Sequence, residues 1–397
     1  MNGARSLTAL TLFSWLFVSQ PIMAAAEPFR PTNESEVLER LSFKTTDPAG
    51  QEIRALRNHL AKDPHNLESA VQLAGRYIER GRSEGDPRFL GQAQAILQPW
   101  WNQPAPPPAA LLLRATIRQN AHEFDAALVD LEEVLRVQPT NAQAWLTKAS
   151  ILQVQARYEE ARRACQPLVR LAPRHVQLAC LGDIAGLTGQ AAKSQELLSE
   201  RLSNPSLSGR ERMWMLTMLA EMATRTGHNE TAEQYFSEAR KAGVKDQYLL
   251  GAYGDFLLDQ HRYREVITLL QQETKADGLL LRLALAEQAM GLQIYRDHIA
   301  SLAARFAASR ARGTNVHVRE EARFTLALLQ DPQRALSLAQ TNWTLQREPA
   351  DARMLLESAL AAGNRGAAKP ALDWLSQNHV EDLYLHQLAK QFQEPMR

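Results

Sequence analysis

The stretch from Pro108 to Pro173 contains one residue pattern twice, and the second copy is displaced by 34 residues. Small, aromatic and proline positions recur in both copies in the same order. A fixed register over two adjacent copies indicates a repeat architecture, in which similar units stack along the chain. The matched pairs are Ala115 and Ala149, Phe124 and Tyr158, Ala127 and Ala161, Leu131 and Cys165, and Pro139 and Pro173.

The second copy, residues 142–173, reads as two helices joined by a short polar connection. Apolar residues recur at helical spacing before and after that connection, and a connection so short makes the two helices antiparallel. Ala149 and Ala161 are small, so the helices can cross closely there, and Tyr158 fills the space beside the crossing. Pro173 cannot continue the second helix. A generic helical bundle is the alternative, but a bundle does not require the fixed register.

These residues resemble the tetratricopeptide repeat, a helix-turn-helix unit of 34 residues. The resemblance covers most of residues 66–375 and is specific in the middle. It implies an all-α fold, a right-handed superhelical solenoid of antiparallel helix pairs. Near residues 300–348 the register slips, and whether the superhelix continues smoothly there stays open. The residues at the family's signature positions are Trp145, Ala149, Ala161 and Pro173.

The pattern divides the chain into segments of different regularity, and no segment reads as a run of strands. We expect a signal peptide over 1–26, N-terminal helices and a lead-in over 27–65, a divergent repeat with a proline-rich connector over 66–107, central tetratricopeptide repeats over 108–275, degenerate C-terminal repeats over 276–375 and a closing helix over 376–397.

The first residues have the composition of a secretory signal. Arg5 supplies the positive start, residues 7–18 supply the apolar core, and Ala24 to Ala26 supply a small-residue cleavage site. We predict cleavage after Ala26 and a periplasmic or secreted mature protein. An uncleaved membrane anchor is the alternative, and Pro21 together with the short apolar run argues against it.

The charges are balanced, with 45 basic and 44 acidic residues. Arg5 is the only charged residue of the predicted signal, so removing it leaves 45 − 1 = 44 basic against 44 acidic residues. Such a chain has no overall attraction to nucleic acid or to anionic lipid. No later stretch is apolar enough to cross a bilayer, so we expect no integral membrane segment after cleavage.

One motif has a catalytic appearance. Gly81 to Gly85 matches G-x-S-x-G, but a nucleophile elbow needs a strand before the serine and a helix after it. We expect instead that residues 81–87 form a loop that bulges from the surface. The ten histidines show no metal-binding spacing, and no glycine-rich phosphate loop occurs. We therefore expect no catalytic residue, no cofactor and no metal site.

Cys165 and Cys180 are the only cysteines. They lie at similar distances on either side of the turn at Pro173, so in an antiparallel hairpin they reach nearly the same height. An exported protein meets an oxidising compartment, where the two thiols could form a disulfide. Two separate buried thiols are the alternative, because Pro167 could bend the first helix and Cys180 could face away.

The family resemblance also implies a binding groove, lined by recurrent positions on the first helix of each pair. The well-known clamp of this family for chaperone tails is not supported, because Leu112 and Leu146 stand where lysine is expected. The mixture of apolar, amide and acidic groups suits an extended peptide or a partner helix. Carried onto this sequence, the groove positions are Leu112, Thr116, Asn120, Gln143, Leu146, Ser150, Gln153, Trp214, Thr217, Glu221, Tyr248, Asp255 and Asp259.

Together these observations favour a non-enzymatic helical-repeat scaffold or adaptor that mediates protein–protein interactions in the bacterial cell envelope. The protein or peptide partner is not identified by the sequence. Two alternatives remain: an accessory module of an exopolysaccharide-export or outer-membrane assembly machine, a role suggested by family analogy alone, and, more distantly, a hydrolase that uses the Gly81–Gly85 loop.

Overall fold

The computed structural model describes Asn33 and residues 47–204, 206–313 and 317–393. The predicted signal peptide and most of the lead-in therefore lie outside the described residues. Every regular element within the described ranges is a helix, as the periodicity predicts. The helices are α1 (Pro48–Lys62), α2 (Leu67–Glu84), α3 (Arg88–Ile96), α4 (Gln98–Trp101), α5 (Pro108–Asn120), α6 (Phe124–Val137), α7 (Ala142–Val154), α8 (Tyr158–Cys165), α9 (Leu168–Leu171), α10 (Arg174–Leu187), α11 (Ala191–Leu202), α12 (Gly209–Arg225), α13 (Asn229–Lys241), α14 (Gln247–Asp259), α15 (Tyr263–Leu270), α16 (Asp277–Ala289), α17 (Tyr295–Ala311), α18 (Val318–Ala327), α19 (Pro332–Leu345), α20 (Pro349–Ala361), a 3₁₀ helix (Arg365–Ala368), α21 (Lys369–Gln377) and α22 (Leu383–Gln391).

From α2 onward the helices form antiparallel pairs, each packed on the next, so the fold is an all-α solenoid. We call the first helix of each pair the A helix and the second the B helix. The B helix of two pairs is divided into shorter pieces, at Leu97 and near Pro167. The A helices are α2, α5, α7, α10, α12, α14, α16, α18 and α20.

A residue with left-handed backbone conformation stands at the turn between the A and B helices of most pairs. The N–H of the next residue donates a hydrogen bond of 2.8–3.0 Å to a carbonyl five residues earlier. This arrangement is the Schellman motif, which satisfies a carbonyl at the helix end and reverses the chain. The left-handed residues with this bond are His122, Ala156, Gly189, Gly227, His261, Gly291 and Gly363.

Apolar side chains fill the space between successive helices, including the region where the sequence pattern weakens. The rings of Phe306 on α17 and Phe324 on α18 have centroids 5.3 Å apart. Trp343 on α19 packs edge-on against Trp374 on α21, with centroids 5.8 Å apart. Packing therefore continues on both sides of residues 314–316, through the region of 300–348.

Asp47 and Gly85 mark ends of the first two helices. Asp47 caps α1, and its Oδ1 accepts a hydrogen bond from the N–H of Ala49 at 3.1 Å. The predicted surface loop over 81–87 is wrong, because α2 extends to Glu84. Gly85, at φ +63°, ends the helix and lies against the start of later A helices rather than projecting into solvent.

The solenoid curls until one coil meets the next, along a line of contacts that we call the coil seam. The helices that the last part of the chain meets there, α7 to α13, we call the first coil. At its beginning, Arg210 of α12 pairs with Glu79 of α2 at 3.0 Å. Further along, the A–B turns of α7–α8, α10–α11 and α12–α13 meet the last helices of the chain and the residues just before them. These later contacts are Arg347 N–H to Val154 O at 2.7 Å, Trp374 Nε1–H to Tyr158 Oη at 3.2 Å, Ala191 N–H to Glu381 Oε2 at 2.6 Å, and Leu383 packed over Gly227.

Candidate partner-binding surface

The A helices converge on one side of the solenoid, which we call the inner face. Asp255 and Asp259 of α14 show this convergence, because they pair with arginines of other A helices. Arg323 of α18 lies 2.5 Å from Asp255, and Arg353 of α20 lies 2.8 Å from Asp259. Helices that are distant in sequence can share such ion pairs only if the same side of each helix faces inward.

On α5 the predicted groove residues are mostly engaged with their own helix. Thr116 Oγ1–H donates to the carbonyl of Leu112 at 2.9 Å, and Asn120 Nδ2–H donates to the carbonyl of Thr116 at 2.8 Å. The side chain of Leu112 packs partly buried against the neighbouring apolar cluster. Of the three, Asn120 is the most exposed.

On α7 the predicted residues differ in what they present. Gln143 is exposed, whereas Leu146 is partly buried against the apolar cluster. Ser150 Oγ–H donates to the carbonyl of Leu146 at 3.1 Å. Gln153 Nε2–H donates to Oδ2 of Asp183 on α10 at 2.7 Å, so this amide links two neighbouring A helices.

On α12 one predicted residue is not available to a partner. Thr217 is 3% exposed and donates its hydroxyl hydrogen to the carbonyl of Met213 at 2.9 Å. Its predicted place on the groove surface is therefore wrong: the helix turns this position toward the core. Trp214 is partly buried and packs against a second apolar cluster, which contains Met215 and Leu219.

Glu221 and Tyr248 form the centre of the inner face. The hydroxyl of Tyr248 donates a hydrogen bond to Oε1 of Glu221 at 2.8 Å, and the Tyr248 side chain stays 64% exposed. Burial of Glu221 raises the pKa of its carboxyl group to about 7, against lowering effects from Arg225 and the Tyr248 hydroxyl. The site therefore holds an acid that titrates near neutral pH, beside an exposed aromatic ring.

Asp255 is held in its charged form. Burial alone would raise the pKa of its carboxyl group, but the guanidinium groups of Arg282 and Arg323 lower the pKa well below its usual range. Asp259 is closer to solvent and accepts a hydrogen bond from Arg353 Nη1–H. Two of the predicted acidic positions thus already carry arginine partners from the same chain.

The sequence reasoning missed Asp183, which lies on the same inner face. Asp183, Glu221 and Asp255 each stand six residues before the left-handed turn residue of their pair, at Gly189, Gly227 and His261. They therefore form one acidic column across three successive A helices. Counting back six residues from Gly189 would have located Asp183. A fixed repeat of 34 residues does not locate it, because the spacing from Gly189 to Gly227 is not 34.

A second group of charges joins the inner ends of α18 and α20. Arg319 lies 3.1 Å from Glu348 and 3.2 Å from Asp351. Burial raises the pKa of the Glu348 carboxyl group, against the lowering effect of Arg319. Arg225, four residues after Glu221 on α12, lowers the pKa of the Glu221 carboxyl group and has buried Nε and Nη2 atoms without a hydrogen-bond partner among the described residues.

The two cysteines lie at the joint between neighbouring pairs, Cys165 at the end of α8 and Cys180 on α10. Their sulfur atoms are bonded, and their Cα atoms are 5.9 Å apart. Neither side chain is exposed. The bond ties one helix pair to the next.

The catalytic-looking motif lies at the end of α2. Ser83 is in the last turn of the helix, and its hydroxyl donates to the carbonyl of Arg80 at 3.1 Å. No strand precedes it within the described ranges, so the serine lacks the strained turn of a nucleophile elbow. Among all the residues that the structure describes, no group of three His, Cys, Asp or Glu side chains is placed to hold a metal ion.

Among the described helices, none has both the length and the apolar character to cross a bilayer.

Paired helices with left-handed turns and a shared inner face define an all-α helical-repeat solenoid. Among solved structures, the chain is similar to the APC/C hetero-tetramer Cut9–Hcn1, with a TM-score of 0.41, 13% identity and 87% of each chain covered. It is also similar to a tetratricopeptide repeat protein from Parabacteroides merdae, with a TM-score of 0.30, 14% identity and coverage of 81% of this chain and 100% of that one. No protein-family model matches, and the comparison with curated proteins gave no match.

Proposed function

We propose that this protein is a non-enzymatic scaffold that binds a protein partner on its inner face, in the bacterial cell envelope. The observation that carries the proposal is the Glu221–Tyr248 pair at the centre of that face. Tyr248 is 64% exposed although large aromatic side chains are usually buried, and aromatic residues are enriched at protein interfaces. Tyrosine and a neighbouring carboxyl group offer a flat apolar contact with polar groups at its edge.

The charges of the inner face indicate the chemistry of the partner. Asp183, Glu221 and Asp255 lie in one column, and the chain's own arginines already pair with Asp255. Asp183 accepts a hydrogen bond from a neutral amide, and Glu221 accepts one from a hydroxyl group. A segment with a basic side chain beside an apolar one complements this surface, as charge complementarity is a common source of specificity.

The envelope location rests on the N-terminal sequence. Arg5, the apolar core and the alanines up to Ala26 have the order of a cleaved secretory signal. N-terminal sequencing of the protein from its native cell is expected to give Glu27 as the first residue. A protein that begins at Met1 and sediments with membranes would contradict this part of the proposal.

Site-specific photocrosslinking in intact cells tests the binding surface. A photoreactive phenylalanine analogue replaces Tyr248 in one variant and Val129 in the control. Val129 on α6 is 66% exposed but lies on a B helix. We expect one discrete crosslinked protein from position 248 and none from position 129. The same product from both positions, or none from position 248, would contradict binding at the inner face.

A further inference from the structure

The last helices of the chain are attached to the first coil by few and mainly polar contacts. Residues 332–391, which we call the closure segment, have their own apolar cluster, which includes Trp343, Leu356 and Trp374. Ala322 of α18 also belongs to that cluster and joins the closure segment to the neighbouring pair. The segment is thus a packed unit with a covalent and apolar attachment at one end.

Across the coil seam the attachment is of a different kind. Glu381 and Arg347 each make a hydrogen bond with backbone groups of the first coil, and Trp374 makes one with the Tyr158 hydroxyl. Apolar contact comes from Ala156, which is partly buried against the closure segment's cluster, and from Leu383 over Gly227. Polar contacts exchange with water at small net cost, whereas separating an apolar core is expensive.

The closure segment also reaches the inner face. Arg353 pairs with Asp259, and its guanidinium lies 4.3 Å from the centre of the Tyr384 ring. Asp259 is one of the positions expected to contact a partner. The same segment therefore closes the coil seam and pairs with one carboxylate of the predicted binding surface.

We propose that the closure segment is a reversible autoinhibitory element, which separates from the first coil as a unit, releases Asp259 from its ion pair with Arg353 and uncovers the seam edge. The effect of this separation on partner binding rests on the proposed function of the inner face. The opening itself is a property of the chain alone, and it breaks the seam contacts of Val154, Tyr158 and Ala191 together.

Two backbone amides report the opening directly. The N–H of Ala191 and the N–H of Arg347 both have their acceptors across the coil seam. Ala191 is the first residue of α11, where an N–H has no partner within its own helix. Hydrogen exchange resolved to single residues is therefore measured at these two amides and, as a reference for the core, at Phe236.

If the segment opens as a unit, the Ala191 and Arg347 amides exchange with equal protection factors, well below that of Phe236. Tyr158→Phe removes the hydroxyl that accepts from Trp374, and it should lower both protection factors by about tenfold, the effect of one lost buried hydrogen bond. Tyr253→Phe is the matched control. Its hydroxyl bonds Glu233 between neighbouring helices, away from the seam, so the two reporters should not change.

A crosslink across the seam supplies the opposite test. A Cβ built at Gly189 lies 3.4 Å from the Cβ of His379, which is close to the spacing of a disulfide. The oxidised Gly189→Cys/His379→Cys variant should slow exchange at both reporters relative to the same variant in its reduced form, which carries the same strain of a side chain at the left-handed Gly189 position. The proposed opening of the closure segment would be overturned if the two reporter amides exchanged as slowly as the amide of Phe236. It would also be overturned if Tyr158→Phe changed the exchange of only one of the two. Loss of the crosslinked partner at position 248 would overturn the proposed function only, because exchange is measured without a partner.

Discussion

The N–H of Ala191 donates a hydrogen bond of 2.6 Å to the carboxylate of Glu381, 190 residues later in the chain. In a simple solenoid each repeat contacts only its neighbours. Here the unsatisfied polar groups at one edge of the first coil become partners for the last helices. The coil seam therefore adds long-range contacts to a fold that is otherwise built from local ones.

Gly85 tests the beginning of the coil seam. A Cβ at this position would lie 2.7 Å from the Cβ of Ala276, and Gly85 has φ +63°. Gly85→Ala should destabilise by about 1–2 kcal/mol for the backbone and about 1–3 kcal/mol more for the overlap. Gly243 is the control, since it has φ +68° and no atom within 4 Å of a built Cβ. Equal losses in thermal unfolding would contradict the contact at Gly85.

The close helix crossing of the second central repeat is tested by enlarging its alanines. Ala149 and Ala161 are 2% and 0% exposed, so Ala149→Leu or Ala161→Leu should each cost about 1–3 kcal/mol. Gln143→Leu is the control, because Gln143 is exposed on the same helix as Ala149. Urea unfolding of the three variants measures the difference. A loss at position 143 as large as at the alanines would contradict the assigned register.

The disulfide of Cys165 and Cys180 is tested on protein taken from its native compartment. Thiol labelling under denaturing and non-reducing conditions is expected to find no free cysteine. The bond closes a loop with a sequence separation of 15, so reduction should lower the stability by about 3 kcal/mol in the chain-entropy model. Two reactive thiols per chain would show that the bond is absent in the cell.

Glu221 should make stability depend on pH. Its folded-state pKa of about 7 lies above the usual value of 4.5 for a glutamate, so the folded chain retains a proton that the unfolded chain releases between these values. Stability from this group is therefore lost as pH rises from 4.5 to 7. Glu221→Gln has no titrating carboxyl group at this position and therefore does not lose this stability. The free energy of unfolding of the variant, relative to that of the original chain, should increase from pH 4.5 to 7 by at most about 3 kcal/mol.

Tyr248→Phe supplies the control for the titration of Glu221. The Tyr248 hydroxyl lowers the pKa of the Glu221 carboxyl group by donating a hydrogen bond to its charged form. Without that hydroxyl, the loss of stability should extend to higher pH. Thermal unfolding between pH 4 and pH 9 measures both variants. A stability difference between Glu221→Gln and the original chain that stays constant across this range would contradict the raised pKa.

The helix pairs could be predicted from the sequence because their cause is local. The small residues at Ala149 and Ala161, the ring of Tyr158 and the proline at Pro173 act within a few turns of helix. The end of α2 was predicted less well. Glycine and serine at 81–85 suggested a loop, but Gly81 is buried beside α3, and the helix continues to Glu84.

The inner face could be predicted only in part. The repeat register located Glu221, Tyr248 and Asp255, but it placed Thr217 on a surface from which the helix turns it away. Arg323, which pairs with Asp255 of the acidic column, lies 68 residues later in the chain, and Arg353 lies 94 residues after its partner Asp259. A periodic pattern describes neighbours in sequence, and it contains no information on how far the solenoid curls.

The coil seam also has a consequence for the order in which the chain folds. Tyr158 and Trp374 are 216 residues apart, so their hydrogen bond cannot form until nearly the whole chain has been synthesised. The early helix pairs need only contacts between near neighbours, and local contacts form fastest. During synthesis, the first coil can therefore be complete while its turn edge is still uncovered, and the final helices arrive at a surface that is already formed.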